Sequence, residues 1–264
     1  MDEGVFIYLS TMVFILGLSV GSFLNVCIYR IPEGMSIVSP GSHCPKCGHE
    51  LKPIELIPVV SFLALRGRCK VCRAPISFRY PGIELLTGIV FFWVFLKNGF
   101  SYDTLVLWIF SALLIVVAFV DLDHRRIPNP LIVAGLILGI LPIAGILLDF
   151  YTVYSGDWFS ILEGMLIPTL LLLAFSLVSG LISGSRGLGM GDVKLYLVIG
   201  TFLGWHLSFL SLWIASVLGG LLGLAWLLFR KGSRHTEFPF GPFIAVGAFV
   251  SSIYGSEILQ WIFG

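Results

Sequence analysis

The chain has 264 residues, 57% of them hydrophobic and 12% charged, with a formal net charge of +1; its mean hydropathy is +0.99. A soluble domain carries about 25% charged residues, so a soluble globular protein is excluded. The near-zero net charge offers nothing to the phosphates of a nucleic acid. The composition is that of an all-α, polytopic membrane protein.

The first apolar run covers residues 5–29. It follows an acidic opening, Met1-Asp2-Glu3. It is too long for a signal-peptide core and lacks a small-residue cleavage site, so it reads as a retained span. A polar stretch, 31–79, comes next. Further apolar runs predict spans over 80–96, 104–120, 130–148, 159–182, 193–203, 207–229 and 240–263, judged against the roughly 17–25 residues that cross a bilayer. The stretch 193–229 is too long for one ordinary helix, and Gly204-Trp205-His206 offers a break within it.

Charge decides that point. With eight spans and an outer N-terminus, every one of the 16 Lys and Arg residues except Lys97 falls in an inner loop, as cytoplasmic loops of membrane proteins require. A single span over 193–229 would push Arg230, Lys231 and Arg234 outward. About eight helices with both termini periplasmic is therefore expected, and Asp121 and Asp192 then lie on the cytoplasmic side. The domain reading is a first span (1–30), a cytoplasmic loop domain (31–79) and a seven-helix core (80–264).

The loop contains Cys44-Pro-Lys-Cys47 and Cys69-Lys-Val-Cys72, with 21 residues between the pairs. Two such knuckles suit one tetrahedral four-thiolate Zn²⁺. Cys44, Cys47, Cys69 and Cys72 are the expected ligands, and the neighbouring Lys46, Lys52, Arg68, Lys70 and Arg73 favour thiolates. Four sulfurs leave no open position, so the metal is structural. The other readings are reduced thiols, or disulfides if the topology is inverted. His43 and His49 flank the first knuckle without being needed as ligands, and Cys27 in the first span reads as a small buried apolar residue.

Asp121 closes the third span, Asp123 follows it, and Asp192 opens the sixth after Gly189-Met190-Gly191. A carboxylate beside hydrocarbon is a functional-site candidate. Residues at i and i+2 do not share a helix face, so one of Asp121 and Asp123 should meet Asp192. Two carboxylates sharing one proton can activate a water and support an oxyanion. The plainer readings are a helix N-cap at Asp192 and ion pairs of Asp121 and Asp123 with Arg125 and Arg126. Glu84, after Arg79, reads either as a contact for basic substrate residues or as a partner of Arg79. Trp108, Trp158 and Trp261 at span ends read as interface anchors.

These motifs occur in order with Gly21-Ser-Phe-Leu-Asn-Val26, Arg66-Gly-Arg-Cys69, Arg79-Tyr-Pro-Gly-Ile-Glu84, Asp121-Leu-Asp-His-Arg-Arg-Ile-Pro128 and Pro239-Phe-Gly-Pro242. The set resembles the bacterial type IV prepilin peptidases over nearly the whole chain. The resemblance implies an inner-membrane enzyme with two activities. One cleaves the basic leader of prepilins and pseudopilins. The other N-methylates the new terminus with S-adenosylmethionine. In the family pattern the first aspartate lies six residues before the Ile of Ile-Pro, which selects Asp121, and Gly-x-Gly-Asp selects Asp192. Glu55, Gly67 and Arg68 match positions tied to methylation. Many relatives have Lys where this chain has Arg68, which keeps the charge but not the geometry. Asn129 stands where many have Asp.

The alternative within the same class is a peptidase without methylation, its zinc loop serving to dock substrate. A proton or cation transporter would also carry intramembrane carboxylates, but both aspartates lie at one face and no charge continues a pathway to the other.

Overall fold

The computed structural model describes residues 3–151, 158–183, 189–229 and 239–263. They fall into two compact units, Met1–Thr104 and Leu105–Gly264. Among the described residues the only pairings of extended chain are two isolated bridges, His43 with Glu50 and Arg68 with Pro75.

The first unit is built on α1 (Glu3–Arg30) and α3 (Arg79–Asn98), with a 3-10 turn (Pro53–Leu56) and a short α2 (Val60–Ala64) between them. Small residues at i and i+4 let two backbones approach closely in a membrane, and Gly17 and Gly21 do this here. A Cβ on Gly17 would stand 2.8 Å from Gly88 Cα, and one on Gly21 2.7 Å from Glu84 Cα. One turn further, the buried Asn25 amide donates to the Tyr80 carbonyl at 3.1 Å. The order Gly17–Gly88, Gly21–Glu84, Asn25–Tyr80 makes the helices antiparallel.

The second unit takes in most of α4 (Tyr102–His124), then α5 (Asn129–Leu138), α6 (Ile140–Leu147), α7 (Trp158–Ser183), α8 (Met190–Phe229) and α9 (Gly241–Phe263). Pro142 has no N–H for the Leu138 carbonyl, and the helix breaks between α5 and α6 there. The most apolar stretch of α4 is 61% buried and that of α7 only 22%. Thus α4 is a central helix, and α7 presents Leu170, Phe175 and Leu181 outward.

Seven helices among the described residues are long and apolar enough to cross a membrane, counting α5 with α6 as one. The chain is a multi-pass membrane protein. One of the seven is not straight. Gly204 in α8 has φ 64° and ψ −170°, a conformation closed to residues with a Cβ. Ser211 Oγ donates to Tyr196 Oη at 3.5 Å, although fifteen residues of straight helix would part them by about 22 Å. The chain therefore reverses at Gly204, and α8 is a hairpin with limbs 190–203 and 205–229. The break expected at Gly204-Trp205-His206 is present, and it divides α8 into two limbs. Gly164 of α7 packs its backbone against both Gly200 and Gly204, and Ser160 Oγ accepts the Trp205 N–H at 3.1 Å, which pins the turn. Arg186, Arg230, Lys231 and Arg234, which entered the charge argument, lie outside the described residues.

Candidate active site and metal centre

Asp121 sits in the last turn of α4 and is 5% exposed; Asp192 sits in the first turn of α8 and is 8% exposed. The two carboxylates are electrostatic neighbours. Three glycines set this approach. Gly241, which opens α9, donates its N–H to Asp121 Oδ2 at 2.8 Å, and a Cβ there would lie 2.7 Å from that oxygen. Gly191 rests on Ile127, where a Cβ would stand 3.0 Å from the Ile127 Cβ, and Gly189 lies beside Asp192 Oδ2. Asp123, two residues on, is exposed. Pro239-Phe-Gly-Pro242 leads into α9 and delivers the Gly241 amide to Asp121.

Asp192 follows the start of α8, and its backbone N–H bonds the Gly189 carbonyl at 3.0 Å. A carboxylate in a first helical turn is favoured by the helix dipole. α4 ends as Arg125 turns left-handed (φ 52°) and returns its N–H to the Asp121 carbonyl at 2.8 Å. Lys194 Nζ donates to Asn129 Oδ1 at 3.0 Å, tying the segment after Asp121 to the segment that carries Asp192. Sequence reasoning drew nothing from Asn129; the motif lysine opposite it was the missed signal.

In the first unit the four sulfurs of Cys44, Cys47, Cys69 and Cys72 all lie within 4.8 Å of one another. Cys44 and Cys72 are 3.8 Å apart, Cys47 and Cys69 4.0 Å. A disulfide needs about 2.05 Å, whereas sulfurs about 2.3 Å from a tetrahedral zinc stand about 3.8 Å apart. The residues fit the metal. Each knuckle closes alike. Gly48 N–H bonds the Cys44 carbonyl and Arg73 N–H the Cys69 carbonyl, with φ 70° at Gly48 and 59° at Arg73.

The turns aim amides at the first sulfur of each pair. The Cys47 and Lys46 amides hold the Cys44 thiol down to about 7, and those of Cys72 and Val71 lower Cys69. At Cys72 the Ala74 amide acts the same way, but burial and the sulfurs of Cys47, Cys69 and Cys44 outweigh it and push the thiol up to about 11. Four thiolates at this spacing need a cation between them. His43 Nδ1 donates to the Gly41 carbonyl at 3.0 Å and His49 Nε2 pairs with Glu55 at 3.2 Å, so both are engaged elsewhere.

The profile described as the type IV leader peptidase family matches residues 108–224, and that of the bacterial peptidase A24 N-terminal domain matches 15–98. A protein of Pseudomonas putida named prepilin leader peptidase/N-methyltransferase is 33% identical over 283 residues, covering 98% of this chain and 94% of that protein. A protein of the same name from Bacillus subtilis (strain 168) is 34% identical, covering 95% and 96%. The chain belongs to the type IV leader peptidase family. No solved structure matches it significantly.

The N-terminal domain of this family member also holds the residues expected to serve methylation. Glu55 is 8% exposed. Its Oε2 accepts the Lys52 N–H at 2.9 Å and meets His49, and the Lys52 amide, ahead of His49, holds the carboxyl below its usual range. Its Oε1 is buried with no hydrogen-bond partner among the described residues. Gly67 (φ 65°) lies where a Cβ would stand 3.0 Å from the Phe62 ring, so this position has a packing reason to be glycine. Arg68 is exposed and pairs by backbone with Pro75. Glu84 Oε2 accepts the Val59 N–H at 2.7 Å and its carboxylate also takes a bond from Ser22. It thereby holds Val59 at φ 61°, which a β-branched residue rarely adopts. No feature of the sequence pointed to that anchor.

Proposed function

We propose that this membrane enzyme cleaves the basic leader of type IV prepilins or pseudopilins and N-methylates the new terminus with S-adenosylmethionine. Asp121 and Asp192 form the catalytic pair. The observation that carries the cleavage half is that these two carboxylates are both buried and feel each other's charge, with the Gly241 N–H fixing one of them.

One member of the pair is ionised and the other protonated. The ionised member takes a proton from water as the water oxygen attacks the scissile carbonyl carbon. The protonated member supplies a hydrogen bond, then a proton, to the carbonyl oxygen. The tetrahedral species collapses with loss of the C–N bond, and the leaving nitrogen takes up a proton. The leader ends as a carboxylate and the mature protein begins with an amine. The Gly241 amide keeps Asp121 in one orientation throughout.

The methylation half rests on the relatives' printed names and on the N-terminal domain. S-adenosylmethionine, when bound, supplies an electrophilic methyl on a sulfonium. Glu55, Gly67 and Arg68 are the residues proposed to serve it within the loop domain 31–79. Cys44, Cys47, Cys69 and Cys72 are proposed to hold a structural Zn²⁺. The helices after residue 80 carry cleavage. The charge distribution supports an inner-membrane placement with the site cytoplasmic and both termini periplasmic, so that the bilayer lipid surrounds the enzyme and the substrate's apolar helix.

Mass spectrometry of a purified prepilin, incubated with the enzyme in detergent with and without S-adenosylmethionine, tests both halves. Leader loss in both samples and one added methyl only with the cofactor is the expected result. Leader loss without methylation would leave the cysteine loop as a docking element. No cleavage by folded, zinc-loaded protein would overturn the proposal.

A further inference from the structure

Asp192 stands on the first limb of the α8 hairpin, and Asp121 is held from the start of α9. The separation of the two carboxylates therefore depends on how limb 190–203, limb 205–229 and α9 sit on one another. Tyr196 lies one helical turn past Asp192, on the same face of the first limb. It is fully buried, and it is close enough to Asp192 to feel that carboxylate's charge. Its hydroxyl meets Ser211 Oγ of the second limb at 3.5 Å.

Ser211 is also fully buried. Its hydroxyl donates to the Ser208 carbonyl at 2.9 Å, which sets its orientation. Its own backbone carbonyl packs on Gly247 of α9, where a Cβ would stand 2.5 Å from that oxygen. Gly247 is about 9 Å of helix from Gly241, whose N–H holds Asp121. One run of contacts thus joins the two aspartates. It passes from Asp192 to Tyr196 along the first limb, to Ser211 across the hairpin, to Gly247 on α9, and through Gly241 to Asp121.

Phenylalanine would fill the space of Tyr196, so apolar packing alone does not call for the hydroxyl, and burying one without a partner is costly. The hydroxyls of Ser208 and Ser251 nearby are buried with no hydrogen-bond partner among the described residues, so a buried hydroxyl here is not bonded as a matter of course. We propose that the contact between Tyr196 and Ser211 is a latch that sets the separation of Asp121 and Asp192, which makes both of them positioning residues for peptide cleavage. The proposal rests on the aspartate-pair reading. Two carboxylates share a proton only while they are close, and a displacement of about 1 Å at a catalytic group can lower the rate by about 10²-fold.

Steady-state cleavage of a purified prepilin by the full-length enzyme in detergent tests the latch. Tyr196→Phe removes one oxygen of the contact and Ser211→Ala the other. Each should lower kcat by about tenfold with KM unchanged. The double variant should be no slower than either single one, because both remove the same bond. Ser251→Ala removes an equally buried hydroxyl outside the run and should match the wild type. The pH profile separates positioning from a general loss of stability. A pair that shares one proton titrates with two apparent pKa values held apart by mutual repulsion. The bell of kcat/KM against pH should therefore narrow in Tyr196→Phe and Ser211→Ala, whereas a smaller fraction of folded enzyme lowers the bell without changing its width. Wild-type kcat and bell width in both latch variants would overturn the proposal. So would additive losses in the double variant, or an equal loss in Ser251→Ala. No cleavage by the wild-type enzyme would instead overturn the aspartate-pair reading itself.

Discussion

The cysteine loop and the aspartate pair bring acidic groups together by opposite means. The loop does it locally. Each knuckle is a turn of a few residues whose own amides point at its sulfurs, and residues 44–47 and 69–72 need only meet around a cation. The aspartates are positioned at long range. Asp121 and Asp192 lie on different helices, and the amide that fixes Asp121 comes from Gly241, at the far end of the sequence. No local motif dictates that geometry; close backbone packing at Gly191 and Gly241 does. The loop should therefore be broken by removing a ligand, the pair by adding a methyl group.

The largest effect expected is at the carboxylates themselves. Asp121→Ala and Asp192→Ala should each lower leader cleavage by about 10³-fold or more, since two groups acting as a unit fail together. Circular dichroism and zinc content should be unchanged, and retained cleavage in either variant would remove that residue from the pair. Next comes Gly241→Ala. Its Cβ would meet Asp121 Oδ2 at 2.7 Å, so the carboxylate or the start of α9 must shift. A displacement of about 1 Å at a catalytic group can lower the rate by about 10²-fold. Cleavage assays of Gly241→Ala beside Gly223→Ala, where a Cβ meets nothing within 4 Å, separate this contact from a general effect of removing glycine.

Metal removal probes the other region. Chelation, or Cys69→Ser, should open residues 31–79 to proteolysis while the helical signal of the spans persists, if the proposed zinc supplies the order of a loop this small. Acid should act in the same direction. Cys44 is held near 7, so its thiolate form is present above that pH. A bound cation holds the thiolate further down, so protons would displace the proposed zinc below that pH. Zinc release measured against pH should rise on acidification; release favoured by alkali would contradict this account.

The two regions also differ in how much the sequence revealed. The spans were legible because apolar runs and basic residues are one-dimensional signals. The hairpin in α8 was legible for the same reason, as a run too long for one pass with Gly204 inside it. The cysteine centre could be read from spacing because its geometry is local. At the aspartates spacing stopped short. It separated Asp121 from Asp123 but could not rank them, whereas burial distinguishes them at once. The Gly241 amide, the Glu84 anchor under Val59 and the Lys194–Asn129 bond join residues far apart in the chain, and no periodicity encodes such pairs. The Gly17-x-x-x-Gly21 seam of α1 is encoded in its spacing, beneath a stronger hydropathy signal.

A smaller effect sharpens the contrast within the loop itself. Gly48 and Arg73 occupy equivalent places in the two knuckles, both left-handed, with φ 70° and 59°. Left-handed backbone costs a residue with a Cβ about 1–2 kcal/mol, so the second knuckle stores strain that the first does not. Arg73→Gly should relieve up to about 1 kcal/mol of it, less the entropy that glycine adds to the unfolded chain. Gly48→Ala should cost a similar amount. Zinc competition against a chelator reads both as opposite shifts in apparent affinity. Equal weakening in the two variants would show that Arg73 holds the loop through its side chain, and that the second knuckle is not ordered by its local turn alone.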